Sequence, residues 1–173
     1  MRNPVVEGAR VVVLNRTLVQ PGFTLDQRTL AFTYRYGPAG EDFSDPAFVE
    51  ETRSFLGLGL RPLAPAGLRG RRDYANGDWT FSWARRTRVG GDDWAQTEVP
   101  LGEESEAYEV EIYDLTGTTL KRTLSASTPS VIYTAAQQTT DFGAAQWNVF
   151  IRAYQLSASF GRGPAAEALV WHH

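Results

Sequence analysis

Apolar and polar residues alternate with a period of two along nearly every patterned stretch of this chain, the mark of strands with one buried face. Ahead of residue 61 the pattern predicts a Val-rich strand at Arg10–Asn15 and a second at Thr29–Tyr36, where Leu30, Phe32, Tyr34 and Tyr36 share a face. The Gly37-Pro38-Ala39-Gly40 run breaks that strand. Ala47–Leu58 is ambiguous, because Asp45 followed by Pro46 could open a helix. Its Thr, Ser and Phe content and the GLGLRP exit favour an extended run.

Pro62 and Pro65 punctuate a linker, after which strands are expected at Gly67–Arg71, Trp79–Arg86, Tyr108–Tyr113, Thr119–Leu124, Ser130–Thr134, Trp147–Leu156 and Ala168–Trp171. Asp114-Leu115-Thr116-Gly117 reads as the tight turn of a hairpin. Short strands separated by turn signals at this spacing predict an all-β sandwich over 62–173, preceded by a small β-rich segment over 1–61. About three strands rarely bury two faces by themselves, so the front segment is expected to pack on the sandwich or on a partner. On the sandwich's inward parity lie Trp83, Val110, Ile112, Val149, Ile151 and Ala153. Trp79 and Trp83 share parity, so both are expected in the core.

Composition narrows the chemistry. At 173 residues without cysteine, the chain has no disulfide framework, thiolate metal site or thiol nucleophile, and its two histidines are the last two residues. A net charge of -3 gives no field favouring bulk nucleic acid. The absence of a secretory signal or membrane-length apolar run leads to the expectation of a soluble protein made in the cytoplasm. Sixteen of the seventeen cations are arginine, a residue suited to planar, bidentate interface contacts.

Six arginines (69, 71, 72, 85, 86 and 88) form the densest basic stretch. It could meet phosphate, lipopolysaccharide or nucleic acid. Pairing with the acidic run of Glu98, Glu103, Glu104, Glu106, Glu109, Glu111 and Asp114 is the favoured reading. Asp92 and Asp93 with Glu98, Glu103 or Glu104 offer an acid pair on paper, but these carboxylates fall in predicted loops and strand edges, where they stay solvated and ionised. No Asp-x-Asp-x-Asp-Gly spacing wraps a calcium ion. Gly57-Leu58-Gly59 and Gly161-Arg162-Gly163-Pro164 read as turns, without the strand–loop–helix context of a phosphate loop. No enzyme activity, cofactor or metal is expected. Trp94 is either a lid on the sandwich or an anchor for a partner.

Two resemblances sharpen this reading. The runs PLAPAGLRG, WTFSW with Trp83, YEVEIYD and WNVFIRAYQLSASFGRGP resemble strands of a fibronectin type III domain, with Trp147 standing where that family places the tyrosine of its tyrosine corner. The runs GLGLRPLAP, GDWTFSWARRTR, DDW, EVPLGEESEAYEVEIYD and YTAAQQTTDFG resemble the C-terminal region of siphophage and gene-transfer-agent tail-tip (baseplate hub, host-specificity) proteins. That second resemblance spans roughly residues 11–168. It implies a structural and adaptor component of the virion, present as a homotrimer or as three copies about the tail axis. It would contact other tail-tip proteins and host surface polysaccharide, with no nucleic acid bound and no membrane insertion. Interface residues would be Phe32, Tyr34, Tyr36, Arg85, Arg86, Arg88 and Trp94. The alternative is a free-standing carbohydrate-binding or adhesin-type sandwich, because fold does not separate the two.

Overall fold

The structure, a computed structural model, describes residues 22–91, 95 and 100–171. It forms two compact units, residues 1–54 and 55–173, with the break earlier than the linker prolines suggested.

In the first unit, β1 (Ala31–Tyr36) pairs antiparallel with β2 (Val49–Ser54), Phe32 opposite Arg53 and Tyr36 opposite Val49. The expected strand at Arg10–Asn15 lies outside the described residues. Thr29 takes a left-handed φ of 71°, which delays the start of β1 and leaves Leu30 off its face. Asp45 does not open a helix. Its carboxylate accepts the Ala47 N–H (2.7 Å) across Pro46, closing a local turn ahead of β2. The extended reading therefore holds over Val49–Ser54 only, and Leu58–Leu60 is a 3-10 turn.

The second unit holds β3 (Ala66–Arg72), β4 (Trp79–Ala84), β5 (Tyr108–Tyr113), β6 (Leu120–Ala126), β7 (Ser130–Tyr133), β8 (Asn148–Ser157), β9 (Gly161–Arg162) and β10 (Ala166–Trp171). One sheet runs β3-β4-β7 and the other β10-β8-β5-β6, with β9 paired to β8. All these pairings are antiparallel. Non-consecutive neighbours in both sheets mean that the chain crosses repeatedly between them, which makes a sandwich and not a meander. The fold is a fibronectin type III-like β-sandwich.

Its core is filled by the parity read from sequence. Trp79, Phe81 and Trp83 of β4 and Tyr133 of β7 face Tyr108, Val110 and Ile112 of β5 and Val149, Ile151 and Ala153 of β8. Trp83 is 6% exposed and meets Tyr108 edge-on at 5.0 Å; Trp79 and Phe81 stack at 6.0 Å. A side chain at Gly70 would place its Cβ 3.1 Å from both the Trp79 and Phe81 rings, so any other residue there needs those rings to give by a few tenths of an ångström. The β5–β6 hairpin turns where predicted. Asp114 accepts from the Thr116 hydroxyl (2.7 Å) and the Thr118 N–H (3.0 Å), while Gly117 supplies a φ of 70°.

Two details stand apart from the strands. YTAAQQTTDFG, whose residues 135–142 carry no strand pattern, contributes a helix, α1 (Ala135–Phe142), between β7 and β8. Thr134 caps it by accepting the Gln137 N–H (3.2 Å), and the Gln137 side chain returns the favour to the Thr134 N–H (2.9 Å), a capping box. Second, Trp147 precedes β8, is 58% exposed and lies under the Arg72 guanidinium at 4.3 Å. It builds no buried corner. The polar anchor at this end of the sandwich is Gln138, wholly buried, donating to the carbonyls of Gly77 and Tyr133 (both 3.0 Å) and accepting from the Gln146 N–H (2.8 Å). The Trp79 indole N–H donates to the Gln146 carbonyl (3.1 Å), tying the core to the same loop.

Candidate functional site

Four places bring polar or aromatic side chains together. The first is the stretch after β4. Arg85, Arg86 and Arg88 line an open cleft of about 470 Å³ with Leu63, Thr87, Gly90 and Gly91. Arg85 reaches Glu106 at 3.4 Å, and Arg88 donates to Glu103 (2.9 Å) and to the Gly102 carbonyl (3.2 Å). For these two, pairing with the acidic run is what the structure places. Glu103 departs from its expected solvation: its side chain is almost wholly buried beneath Arg88. Arg86 remains exposed at the rim. Asp92, Asp93, Trp94 and Glu98 lie outside the described residues, as do His172 and His173.

The rest of the basic stretch goes elsewhere. Arg72 turns to the end of the sandwich over Trp147, whereas Arg69 and Arg71 point outward from β3. Glu109 and Glu111 take a partner that sequence reading did not find. Arg162 of β9 pairs with both, at 2.7 Å to Glu111, and lies 4.3 Å over the Tyr154 ring. Glu111 also accepts from the hydroxyls of Tyr113 (2.8 Å) and Tyr154 (2.9 Å). Burial works to raise the Glu111 carboxyl. The hydrogen bonds from Arg162 and both tyrosines outweigh it, leaving the group below the ordinary glutamate range. In turn, burial and the Glu111 carboxylate push the Tyr154 phenol up to about 12. A carboxylate held this firmly ionised is a poor proton donor. On the same face Arg152 spans from the Tyr113 ring (4.4 Å) to Glu167 (2.8 Å). This outer face of the larger sheet is thus closed by its own ion pairs.

A third cluster pins α1 to the sandwich. Arg122 of β6 grips Asp141 with two bonds (2.7 and 2.8 Å), and the Tyr133 hydroxyl donates to the same carboxylate (2.7 Å). Burial opposes ionisation of Asp141, but these donors win and hold its carboxyl below the ordinary aspartate range. The fourth is the ribbon of the first unit. Phe32 and Tyr34 are half-buried, with Phe32 against Phe23 at 5.2 Å, whereas Tyr36 is 54% exposed. Leu25, Phe43 and Val49 of the same unit are also exposed.

Glu111, Asp141 and Gln138 were invisible as clusters because most of their partners come from distant parts of the chain. The Thr134-x-x-Gln137 capping box was the one local signal that could have disclosed α1.

No family model matches the chain, and no curated protein matches it. Among solved structures it is similar to domains d3–d4 of the rat CD45 extracellular region, at 10% identity and a TM-score of 0.44, covering 98% of this chain and 78% of that one. It is also similar to a Fn3-like protein from Clostridium thermocellum (18% identity, TM-score 0.40, covering 65% and 94%). A third is the FN5 domain of Drosophila Lar (14% identity, TM-score 0.36, covering 65% and 99%). At such scores these likenesses add no weight to the strand order.

Proposed function

We propose that this chain is a non-catalytic structural and adaptor component of a phage or gene-transfer-agent tail tip. Its sandwich serves as a rigid β-module and its front unit as a docking element, with three copies about the tail axis. The observation that carries this reading is the apolar exposure of the front unit, where, among the described residues, Phe43 is 67% exposed beside a two-stranded ribbon. A two-stranded ribbon is marginal alone in water, and such a patch calls for cover. The tail-tip wording of the sequence supplies the context. Support for a non-catalytic role comes from the carboxylates themselves: Glu111 and Asp141 are each locked by arginine and tyrosine donors. Identifying the adjacent open reading frames tests the assignment. Tail-tip and tape-measure genes alongside are the expected result, and an unrelated operon would remove its context. The second reading, a recognition module for polysaccharide, is favoured by one specific feature, the outer face of the smaller sheet.

A further inference from the structure

The two outer faces of the sandwich differ in how they treat charge. On the larger sheet Arg152 and Arg162 are each matched to glutamates. The strands of the smaller sheet, β3, β4 and β7, contain no Asp or Glu at all. Their outward positions follow from the register: Arg71 lies opposite Thr80 and Thr80 opposite Ile132, while Arg69 lies opposite Ser82 and Ser82 opposite Ser130. The inward positions between them hold Leu68, Phe81, Val131 and Tyr133, all packed on or in the core. Arg69 and Arg71 are therefore exposed on one edge strand, roughly 7 Å apart along it. Between them and the 56%-exposed Ile132 runs a row of short hydroxyl side chains. Arg69 already leans on this row, its Nε donating to the Ser82 hydroxyl at 3.3 Å. The nearest carboxylates in sequence, Asp73 and Asp78, are engaged in the β3–β4 turn, accepting the N–H groups of Ala75 (2.8 Å) and Ala135 (2.7 Å). An acid-free arginine row on a chain of net charge -3 is a local reversal of sign.

We infer that the outer face of β3-β4-β7 binds an acidic polysaccharide, through Arg69 and Arg71 to its carboxylate or sulfate groups and through Thr80, Ser82 and Ser130 to its hydroxyls. This deepens the recognition-module reading and is independent of any place in a tail. Four features decide the ligand class. Guanidinium forks suit planar carboxylates and sulfates, and the spacing along a strand suits charges repeated along an extended chain. The face carries no aromatic side chain on which bases could stack, which disfavours single-stranded nucleic acid. It also offers one large apolar residue, too little for the buried anchor cluster of a protein interface.

The test is titration of the full chain with oligogalacturonate and with heparin oligosaccharide, and with neutral dextran, a single-stranded DNA oligomer and poly-glutamate for comparison. The wild type is expected to bind at least one of the two acidic glycans, saturably and in preference to the comparison ligands. Arg69→Gln/Arg71→Gln should weaken that binding by about tenfold or more, the scale of losing charge-assisted hydrogen bonds. Arg61→Gln/Lys121→Gln, which removes the same charge from exposed cations off this sheet, should leave it within about twofold. Far-ultraviolet circular dichroism and thermal melting confirm that each variant is folded, and a Ser82→Ala variant reports on the face without altering charge. Absence of binding to both acidic glycans, or equal losses in the two double variants, overturns the proposal. Equal or tighter binding of DNA or poly-glutamate also overturns it. Binding of dextran alone would keep a recognition module but remove this site.

Discussion

Trp83 and Gly70 show how single residues set the sandwich. Trp83 closes the core edge-on against Tyr108, and cutting it to alanine opens a void between the sheets. Trp83→Ala is expected to cost on the order of 3–5 kcal/mol, read as a drop in urea midpoint at unchanged slope. Gly70→Val tests the other side of the same contact. Its methyls would enter the space held by the Trp79 and Phe81 rings, and a loss of roughly 1–3 kcal/mol is expected from overpacking. A Gly70→Val protein as stable as the wild type would mean that the Trp79 and Phe81 rings shift to admit it and that this contact is not tight. The core tryptophans were legible in the sequence because parity along one short strand fixes which face is buried. The partners of Glu111 were not, since Arg162 comes from a strand 51 residues away and only the assembled sheet brings them together.

At the scale of elements, the strands announced themselves and the helix did not. β5 runs over Tyr108–Tyr113 as read, β8 begins and ends one residue later than its reading, and the inward faces of both follow from the residues alone. In α1 the one fully buried residue is a glutamine, so no apolar stripe marks its inner face. Its stability rests on polar contacts instead, and these titrate. Asp141 has a depressed carboxyl pKa in the folded state, so it contributes stability that is fully present above the ordinary aspartate value. That stability is lost as pH falls from about 4 through the lower folded value. Asp141→Asn should cost about 1–3 kcal/mol at pH 7, because Arg122 and Tyr133 lose the charge and one of the two acceptor oxygens they bond, and the gap to wild type should narrow towards pH 2–3. Chemical denaturation at both pH values measures it. A gap that stays constant across that range would show that Asp141 acts through shape and not charge.

For the whole molecule, two surfaces carry the function proposed here and two do not. The larger sheet's outer face is satisfied by its own ion pairs, and the cleft beside Arg85 and Arg88 is partly filled by theirs. What remains open is the arginine face of the smaller sheet and the apolar surface of residues 22–54. The purified chain is expected to release no reducing ends from peptidoglycan or capsular polysaccharide above a heat-killed control. Release abolished by Asp93→Asn or Glu104→Gln would reinstate an enzyme. The adaptor reading itself is tested most directly by a density map of the intact particle. It is expected to show three copies of this chain around the tail axis at the tip, with the exposed residues Tyr36, Phe43 and Val49 covered by polypeptide. A tip without this chain, or copies off the threefold axis with that apolar surface bare to solvent, would contradict it.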